Sequence, residues 1–462
     1  MLNDSTVQEL GLNLRGRLLL PADAEYDEAR KIWNVMIDRH PAVIVRCAGA
    51  ADVVRAVRFA REHNLLVAVR GGGHNVAGNA VCDGGLMIDL SPMKAIRVDP
   101  VRQIAQAQPG LTLGEFDRET QAFELATTLG TVTVTGIAGL TLGGGIGWLM
   151  GKYGLACDNL LSVDIVTADG ELRTASAAEN EDLFWGVRGG GGNFGVVTRF
   201  EYRLHRVGPV LGGMLIYPFS KAREVLRFYR DFTSHVPDEL TMDAGILTAP
   251  DGNPVAAIAI CYCGPLDQGE KLVAPLRKFG PPMADLIGPK SYVEIQKEIF
   301  DAAFPPNQQN YWKGGFAHAL SDQVIEAMVE YAATRPSPAS FVAVEHFHGA
   351  AARVPVAETA FPHRREQYSL LICSIWPDPA ESEKNIEWTR RFWGEMQPFM
   401  AGSVYVNYLS QEGEDRVRAA YGPNYDRLVA LKSKYDPTNF FRMNQNIQPA
   451  VGETSSARAG TP

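Results

Sequence analysis

No stretch of the chain approaches the ~18 uninterrupted apolar residues of a membrane span, so no spanning helix is expected. Positive charge is the scarcer sign. Lys and Arg total 44 against 53 Asp and Glu, the net charge is −9, and no basic run occurs, which argues against nucleic acid as a partner. Cysteine is sparse too. Cys47, Cys82, Cys157, Cys261, Cys263 and Cys373 are scattered, and the one close pair, Cys261 and Cys263, lies in a strand-like run where alternate residues share a face. No metal-ligand spacing appears, so no metal is expected. The thiols read as buried, reduced small hydrophobes of a cytoplasmic protein. The opening Met1-Leu2-Asn3-Asp4-Ser5 shows neither the basic nor the apolar region of a secretory signal. The G-x-x-x-x-G-K-[ST] phosphate loop and the G-x-S-x-G nucleophile elbow are both missing, which removes the common nucleoside-triphosphate and α/β-hydrolase readings.

What is present is an ordinary globular composition, 46% hydrophobic and 21% charged, in 462 residues. That length suggests about two or three domains. The most informative stretch is RGGGHN (70–75), which follows the apolar run LLVAV (65–69). A β-branched strand ending in three glycines lets backbone approach a ligand closely and leaves N–H groups free for anions. His74 then stands at the edge of whatever the loop holds. A second glycine cluster, Gly190 to Gly195, formally matches G-x-G-x-x-G, but the strand-like VVTRFEYRL follows it where a helix should open, so the dinucleotide fingerprint fails on context. A third, GGGIG (143–147), precedes the helix-like GWLMGKYG and fits either an anion at a helix N-terminus or close packing of that helix on a sheet.

The first half alternates helix and strand. AVIVRC (42–47) reads as a strand, and residues 51–65 place Val53, Val57 and Ala60 at helical spacing. Thr112 and Glu115 form a capping-box pattern. Asp169-Gly170 supplies hairpin chemistry between two alternating runs. After about Val210 the glycine-rich blocks stop. Strands such as VAAIAICYC and SFVAVEHFHG then interleave with helices such as AREVLRFYRDF and SEKNIEWTRRFW. The expected fold is α+β, with a second domain built on an antiparallel sheet covered by helices on one side. A helix before Pro437 should stop there. The tail 451–462 is expected to be disordered.

Four blocks in order carry a resemblance. They are RGGGHNVAGNAVCDGGLMIDLSPM (70–93), TGIAGLTLGGGIGWLMGKYGLACDNLLSVDIVTADG (135–170), DLFWGVRGGGGNFGVVTRF (182–200), and YVNYLS with YGPNYDRLVALKSKYDPTNFFRMNQNI (405–447). Together they resemble the berberine-bridge-enzyme-like FAD-linked oxidases of the vanillyl-alcohol-oxidase superfamily. The N-terminal blocks also resemble the flavoenzyme of enterocin biosynthesis. The resemblance implies a two-lobed PCMH-type FAD-binding domain (1–207), a substrate domain (208–404) and a C-terminal segment (405–450) returning to the first. It further implies FAD bonded through its 8α-methyl to His74. A second, cysteine-to-flavin bond would fall at Val132, so a single link is expected, with Cys157 as a packed structural residue. FAD contacts are implied for Arg70, Gly71, Gly72, Gly73, His74, Asn75, Gly78, Thr131, Thr135, Gly136, Gly139, Gly144, Gly145, Gly147, Asn193, Gly195, Val197, Tyr408, Asn444 and Gln445.

For catalysis the resemblance points to Tyr405-Val406-Asn407-Tyr408, a Y-x-N-Y motif whose last tyrosine serves as base. A phenol of pKa ~10 needs a cation or donor to lower it for that work. Thr135 is expected to overlook the flavin edge where oxygen arrives, its hydroxyl bonding either to N5 or an oxygen adduct, or to a loop carbonyl. On the strand Glu345-His346-Phe347-His348, alternation puts Glu345 on one face and His346 on the other, and either face could line the pocket. Where plant relatives place Tyr or Glu, this chain has Ile372. The leading expectation is oxidation of a small alcohol, sugar or secondary metabolite by hydride transfer to flavin, with O2 as acceptor, by a monomer or homodimer. Flavin-oxygenating chemistry and a non-catalytic ligand-binding role are the alternatives.

Overall fold

The computed structural model describes residues 4–450, so the tail 451–462 lies outside the described residues. After helix Asp4–Leu12 the chain builds a four-stranded sheet of β1 (Arg17–Leu19), β2 (Val43–Arg46), β3 (Val67–Arg70) and β4 (Leu86–Asp89) in the order β1-β2-β4-β3. β4 runs parallel to both β2 and β3. Helix Ala50–Glu62 carries the chain between β2 and β3. It forms because Val53, Ala56, Val57 and Ala60 recur on one face, and that face is buried against Val43, Val45 and Leu86.

Next come β5 (Ile96–Asp99), β6 (Ile104–Ala107), β7 (Leu125–Ala126), β8 (Leu160–Val166), β9 (Leu172–Ser176), β10 (Val196–Arg203) and β11 (His205–Arg206). Five of them make an antiparallel sheet in the order β5-β6-β10-β8-β9. The β8–β9 hairpin turns at Asp169-Gly170, where Gly170 adopts φ +78° and its N–H reaches the Thr167 carbonyl at 2.9 Å. Thr112 and Glu115 make the expected reciprocal cap on helix Leu113–Gln121. The Gly190–Gly195 cluster feeds strand β10, as its context indicated. One expectation falls short: the helix after GGGIG is a single turn, Met150–Tyr153. Gly147, Gly151 and Gly154 are weak helix formers, and Gly144 and Gly145 sit at φ +131° and +89°.

From Val210 the chain builds an eight-stranded sheet from β12 (Val210–Pro218), β13 (Leu240–Thr248), β14 (Pro254–Tyr262), β15 (Ala284–Asp285), β16 (Gly288–Lys290), β17 (Gln309–Ala317), β18 (Phe341–Phe347) and β19 (Gln367–Trp376). The order is β15-β12-β14-β13-β18-β19-β17, with β16 beside β12, and every pairing is antiparallel. Helices Ala222–Thr233, Asp322–Ala333 and Ser382–Met396 cover one face. Val225, Leu226, Ile325, Met328, Trp388 and Phe392 pack there against Met242, Ala244, Val342 and Val344. The other face looks toward the first sheet system.

The C-terminal stretch packs back onto the N-terminal half. Tyr405, Leu409, Tyr421, Leu428 and Ile447 share one apolar cluster with Leu142, Phe184 and Phe194. Helix Tyr425–Tyr435 ends just before Pro437, and Asp436 accepts the N–H groups of Phe440 and Phe441 at 2.7 and 2.9 Å. Lys432, fully buried, donates to Asp436 and to the Asn193 carbonyl at 2.7 and 2.8 Å. No helix among the described residues is long and apolar enough to cross a membrane.

A buried acid joins the two halves. Gln296, on helix Tyr292–Glu298, donates to Asp117 at 2.9 Å, while Asp117 Oδ1 and Gln296 Oε1 have no hydrogen bonds. Burial pushes the Asp117 carboxyl up to about 7, and a protonated Asp117 can serve Gln296 Oε1. Because the folded value is raised, this group contributes most below its ordinary 3.8 and loses that contribution as pH rises to about 7. Asp117→Asn keeps the pairing without the titration. Its stability relative to wild type should rise across that window by a few kcal/mol, on the order of 1.4 kcal/mol per pKa unit. Urea titrations at both ends of the window check this, and a constant difference between the two proteins would refute it.

Candidate active site

β3 ends at Arg70, and the chain turns through Gly71-Gly72-Gly73-His74-Asn75 under the loop 130–136. The two loops meet at Gly72 and Gly136, where a Cβ on Gly72 would lie 2.4 Å from the Gly136 nitrogen. Only glycine permits that crossing. His74 is half-buried, its ring stacks on Trp33 at 4.2 Å, and its Nε2, sealed from solvent, has no hydrogen-bond partner among the described residues. Burial lowers its pKa to about 4, so the imidazole is neutral.

Above this floor lies a cavity of about 220 Å³. It is roofed by the face of the large sheet opposite its three covering helices, through Asp243, Phe341, Ala343, Glu345 and Leu371, and closed by Phe300, Phe304 and Trp312. A narrower slot continues between Val67, Leu142, Gly195, Val197, Asn444 and Gln445. The two spaces share Val69, Gly71, Asn75, Ala80, Gly139 and Asn407, so they form one channel. At Gly139 a Cβ would meet nothing within 4 Å, which marks an open wall on helix Ile137–Leu142.

Of the residues named from sequence, Gly71, Gly72, Gly73, His74, Asn75, Thr131, Thr135, Gly136, Gly139, Gly195, Val197, Glu345, Tyr405, Tyr408, Asn444 and Gln445 line this channel. Others do not, each for a local reason. Arg70 turns away and grips Asp89, its register partner on β4, at 2.7 and 3.0 Å. Gly78 serves a turn at φ +74°, packed against Ile37. Gly144 and Gly145 admit side chains of the protein itself: Cβ atoms there would strike Phe361 and Ala156, and Gly145 N–H donates to the Tyr405 hydroxyl at 2.8 Å. Gly147 packs on the Leu129 and Gly130 carbonyls. Close packing, not anion binding, therefore accounts for GGGIG. Asn193 ties the Gly190 and Gln445 carbonyls to the Ile447 N–H.

His346 shares the helix-facing side of β18, stacks on His348 at 4.7 Å, and meets Glu366 at 3.2 Å. Ile372 likewise packs under the helices, and its neighbour Leu371 lines the cavity. Val132 is in the wall, and none of the six cysteines is. Cys157 is buried beside Asp158 and Arg364. Thr135 lines the cavity, and no loop carbonyl holds its hydroxyl among the described residues.

The polar chemistry gathers at one end. Tyr408 donates to Glu345 Oε1 at 2.7 Å, and Glu345 Oε2 is buried without a hydrogen-bond partner among the described residues. Tyr405 accepts from Asn407 Nδ2 at 2.7 Å and meets Tyr408 edge-on at 4.8 Å. Asp243 stands directly opposite Glu345 in the β13–β18 ladder. Sequence reasoning missed it, although a lone carboxylate inside the apolar strand LTMDAGILT was a usable signal. Burial, with the Glu345 charge added to it, raises the pKa of Asp243 well above the carboxylate range, and burial raises Glu345 as well, against the lowering effect of the Tyr408 and Ser369 hydroxyls. Burial and the Glu345 charge also drive Tyr408 well above 10. The expectation was a cation or a donor that lowers Tyr408, and the group that the phenol meets is instead an acid that accepts its hydrogen bond. Among the described residues no Lys or Arg lines the cavity, and the group bonded to the phenol is the Glu345 carboxyl.

A flat, glycine-floored channel with a neutral, unpartnered imidazole nitrogen in its wall fits FAD. Comparison with known proteins agrees. A family model described as FAD binding domain matches residues 41–176, and one described as Berberine and berberine like matches 404–448. An FAD-linked oxidoreductase of Dictyostelium discoideum is 34% identical over 449 residues, covering 96% of this chain and 97% of its own length. The chain belongs to the berberine-bridge-enzyme-like FAD-linked oxidoreductases. Within that family it is also 32% identical to the (R)-6-hydroxynicotine oxidase of Paenarthrobacter nicotinovorans, over 95% of this chain and 98% of that one. The solved structure of 6-hydroxy-D-nicotine oxidase from Arthrobacter nicotinovorans superposes with a TM-score of 0.87 at 30% identity, covering 95% of this chain and 98% of the other. The protein is thus an α+β flavoenzyme of the PCMH-type fold and an oxidoreductase that uses FAD.

Proposed function

We propose that this berberine-bridge-enzyme-like protein oxidises a small organic molecule, an alcohol or sugar, at a hydroxyl-bearing carbon, with FAD linked through His74 alone and O2 as the final acceptor. The observation that carries the reading is the pairing, across one cavity, of an unpartnered His74 Nε2 in the floor with the Tyr408–Glu345 hydrogen bond in the roof. Bound FAD supplies the two-electron, hydride-accepting chemistry. The chain's own residues handle the proton. A substrate hydroxyl beside Tyr408 passes its proton to the phenol oxygen while the phenol proton moves to Glu345. Tyr408 is therefore a relay and Glu345 the base, because a phenol flanked by carboxylates does not hold the negative charge. Phe300, Phe304, Trp312 and Phe341 exclude water from the reacting face and favour an apolar or aromatic body in the substrate. Six unpaired cysteines, five of them buried, support a reducing, cytoplasmic setting.

The purified protein should be yellow and stay yellow after acid precipitation. His74→Ala should release all its flavin on the same treatment, since no cysteine lines the cavity to replace the bond. Flavin retained by precipitated His74→Ala would overturn the single-link assignment. Anaerobic bleaching across a panel of alcohols and sugars tests the reaction itself, and a flavin that no hydroxyl compound bleaches would remove the alcohol reading.

Thr135 is assigned to the oxygen step, because its hydroxyl faces the cavity with no loop carbonyl to hold it. Thr135→Val keeps the shape and deletes the hydroxyl. Stopped-flow reoxidation should change by about tenfold, the scale of one ~1.4 kcal/mol interaction. An unchanged rate would return Thr135 to a packing role.

A further inference from the structure

The roof of the cavity holds one acid that the mechanism above leaves without a task. Asp243 is 5% exposed, and its side chain lines the cavity. Glu345 receives the Tyr408 hydroxyl, but no N–H or O–H among the described residues is given to the Asp243 carboxyl. Burial of an acid with no donor aimed at it disfavours its charged form, and a cation beside it would offset that cost. The surrounding side chains deepen the anomaly. Among the described residues no Lys or Arg lines the cavity, His74 is the only imidazole in its wall, and Trp312, Phe304 and Phe341 present ring surfaces nearby. Two carboxyls on directly opposed residues, set among aromatic rings, form an environment that attracts a cation through charge and through the ring faces. The missing partner therefore comes with the ligand.

We propose that Asp243 is the specificity-determining residue of this site and binds a protonated nitrogen of the substrate, which makes the preferred substrates small amino alcohols. The proposal rests on the hydroxyl-oxidising reading above for the alcohol half, and on Asp243 alone for the amine half. Side chains directly opposed on antiparallel strands stand ~5 Å apart at Cβ. One compact substrate can then offer its hydroxyl to Tyr408 and Glu345 and its nitrogen to Asp243. A positive charge in that position also relieves the repulsion between the two carboxyls, so binding and readiness of the base are linked.

The test uses the FAD-loaded enzyme and two ligands that differ in one group, 4-(aminomethyl)benzyl alcohol and 4-ethylbenzyl alcohol. By calorimetry under anaerobic conditions the amine should bind at least tenfold more tightly to wild type. Asp243→Asn should lose at least tenfold of that preference, the loss falling on the affinity for the amine. Asp243→Glu, which restores the charge, should recover part of the preference. Equal binding of the two ligands, or binding of neither, would overturn the proposal from the wild-type measurement alone, whether or not the variant folds. A preference that survives Asp243→Asn would overturn it as well. The two readings fail separately. If the amine binds preferentially through Asp243 but neither compound bleaches the flavin, the assignment of Asp243 stands and the alcohol reading falls.

Discussion

Glu345→Gln should slow substrate-driven flavin reduction by ~10²–10⁴-fold, the usual contribution of a general base. The substitution is close to isosteric, and the glutamine Oε1 still accepts the Tyr408 hydroxyl that Glu345 now receives at 2.7 Å. Only the capacity to take a proton is lost. Flavin loading should be unchanged, and thermal stability should hold or rise, because a buried carboxyl with one unpartnered oxygen is replaced by a neutral amide. The pH profile carries the sign. A base must be deprotonated to act, and the folded pKa of Glu345 is raised, so wild-type reduction should climb with pH and level off above that raised value. Glu345→Gln should flatten the climb. Tyr408→Phe should also slow reduction, since it removes the relay. Anaerobic stopped-flow absorbance measures all of this, and a Glu345→Gln rate within a few-fold of wild type would move the base elsewhere.

Gly139→Leu should abolish flavin loading without unfolding the protein. Gly139 lies inside helix Ile137–Leu142, where a side chain meets no neighbour and enters the channel. Glycine within a helix costs ~1 kcal/mol relative to good helix formers, so the flavin-free variant should melt at or slightly above flavin-free wild type. FAD and a leucyl side chain cannot share the space. Flavin content after purification should fall more than tenfold, read from absorbance, alongside melting curves of both apo-proteins. Gly72→Ala makes the contrast, because its Cβ would lie 2.4 Å from backbone and should cost folding itself. A fully yellow Gly139→Leu would show that the channel is not where FAD binds.

These two positions illustrate what sequence could and could not convey. Signals contained within a few residues were legible: the Thr112–Glu115 cap, the Asp169-Gly170 turn, the stop at Pro437, the strand that follows Gly195. A glycine, by contrast, announces close approach without saying what approaches. At Gly72 and Gly136 it is another loop, and at Gly144 and Gly145 it is Phe361, Ala156 and the Tyr405 hydroxyl, residues from 11 to about 260 positions away. Arg70 followed the same rule in reverse: the family block offered it to the ligand, while the parallel register of β3 and β4 gave it Asp89 first. Alternation put Glu345 and His346 on opposite faces but was silent on which face the helices would take. That choice is made by Val225, Met328 and Phe392, far along the chain, and it sends His346 away from the cavity. Asp243 stood as a lone carboxylate in an apolar strand, but its pairing with Glu345 comes from the register that sets the two opposite each other.

That register has a consequence for how the enzyme can change. Along β13, β18 and β19 the odd-numbered positions 243, 341, 343, 345 and 371 line the cavity, and the even-numbered positions 242, 244, 342, 344, 370 and 372 pack beneath the helices. Substrate choice and structural integrity are thus written on alternating letters of the same three strands. Single-base drift at an odd position other than 345, which holds the base, alters what the enzyme accepts at little cost to its persistence in the cell, and drift at an even position does the reverse. A mutant library restricted to the odd positions should therefore return a high fraction of folded, flavin-loaded members spread over many substrates, whereas an equal library on the even positions should return mostly losses of soluble protein.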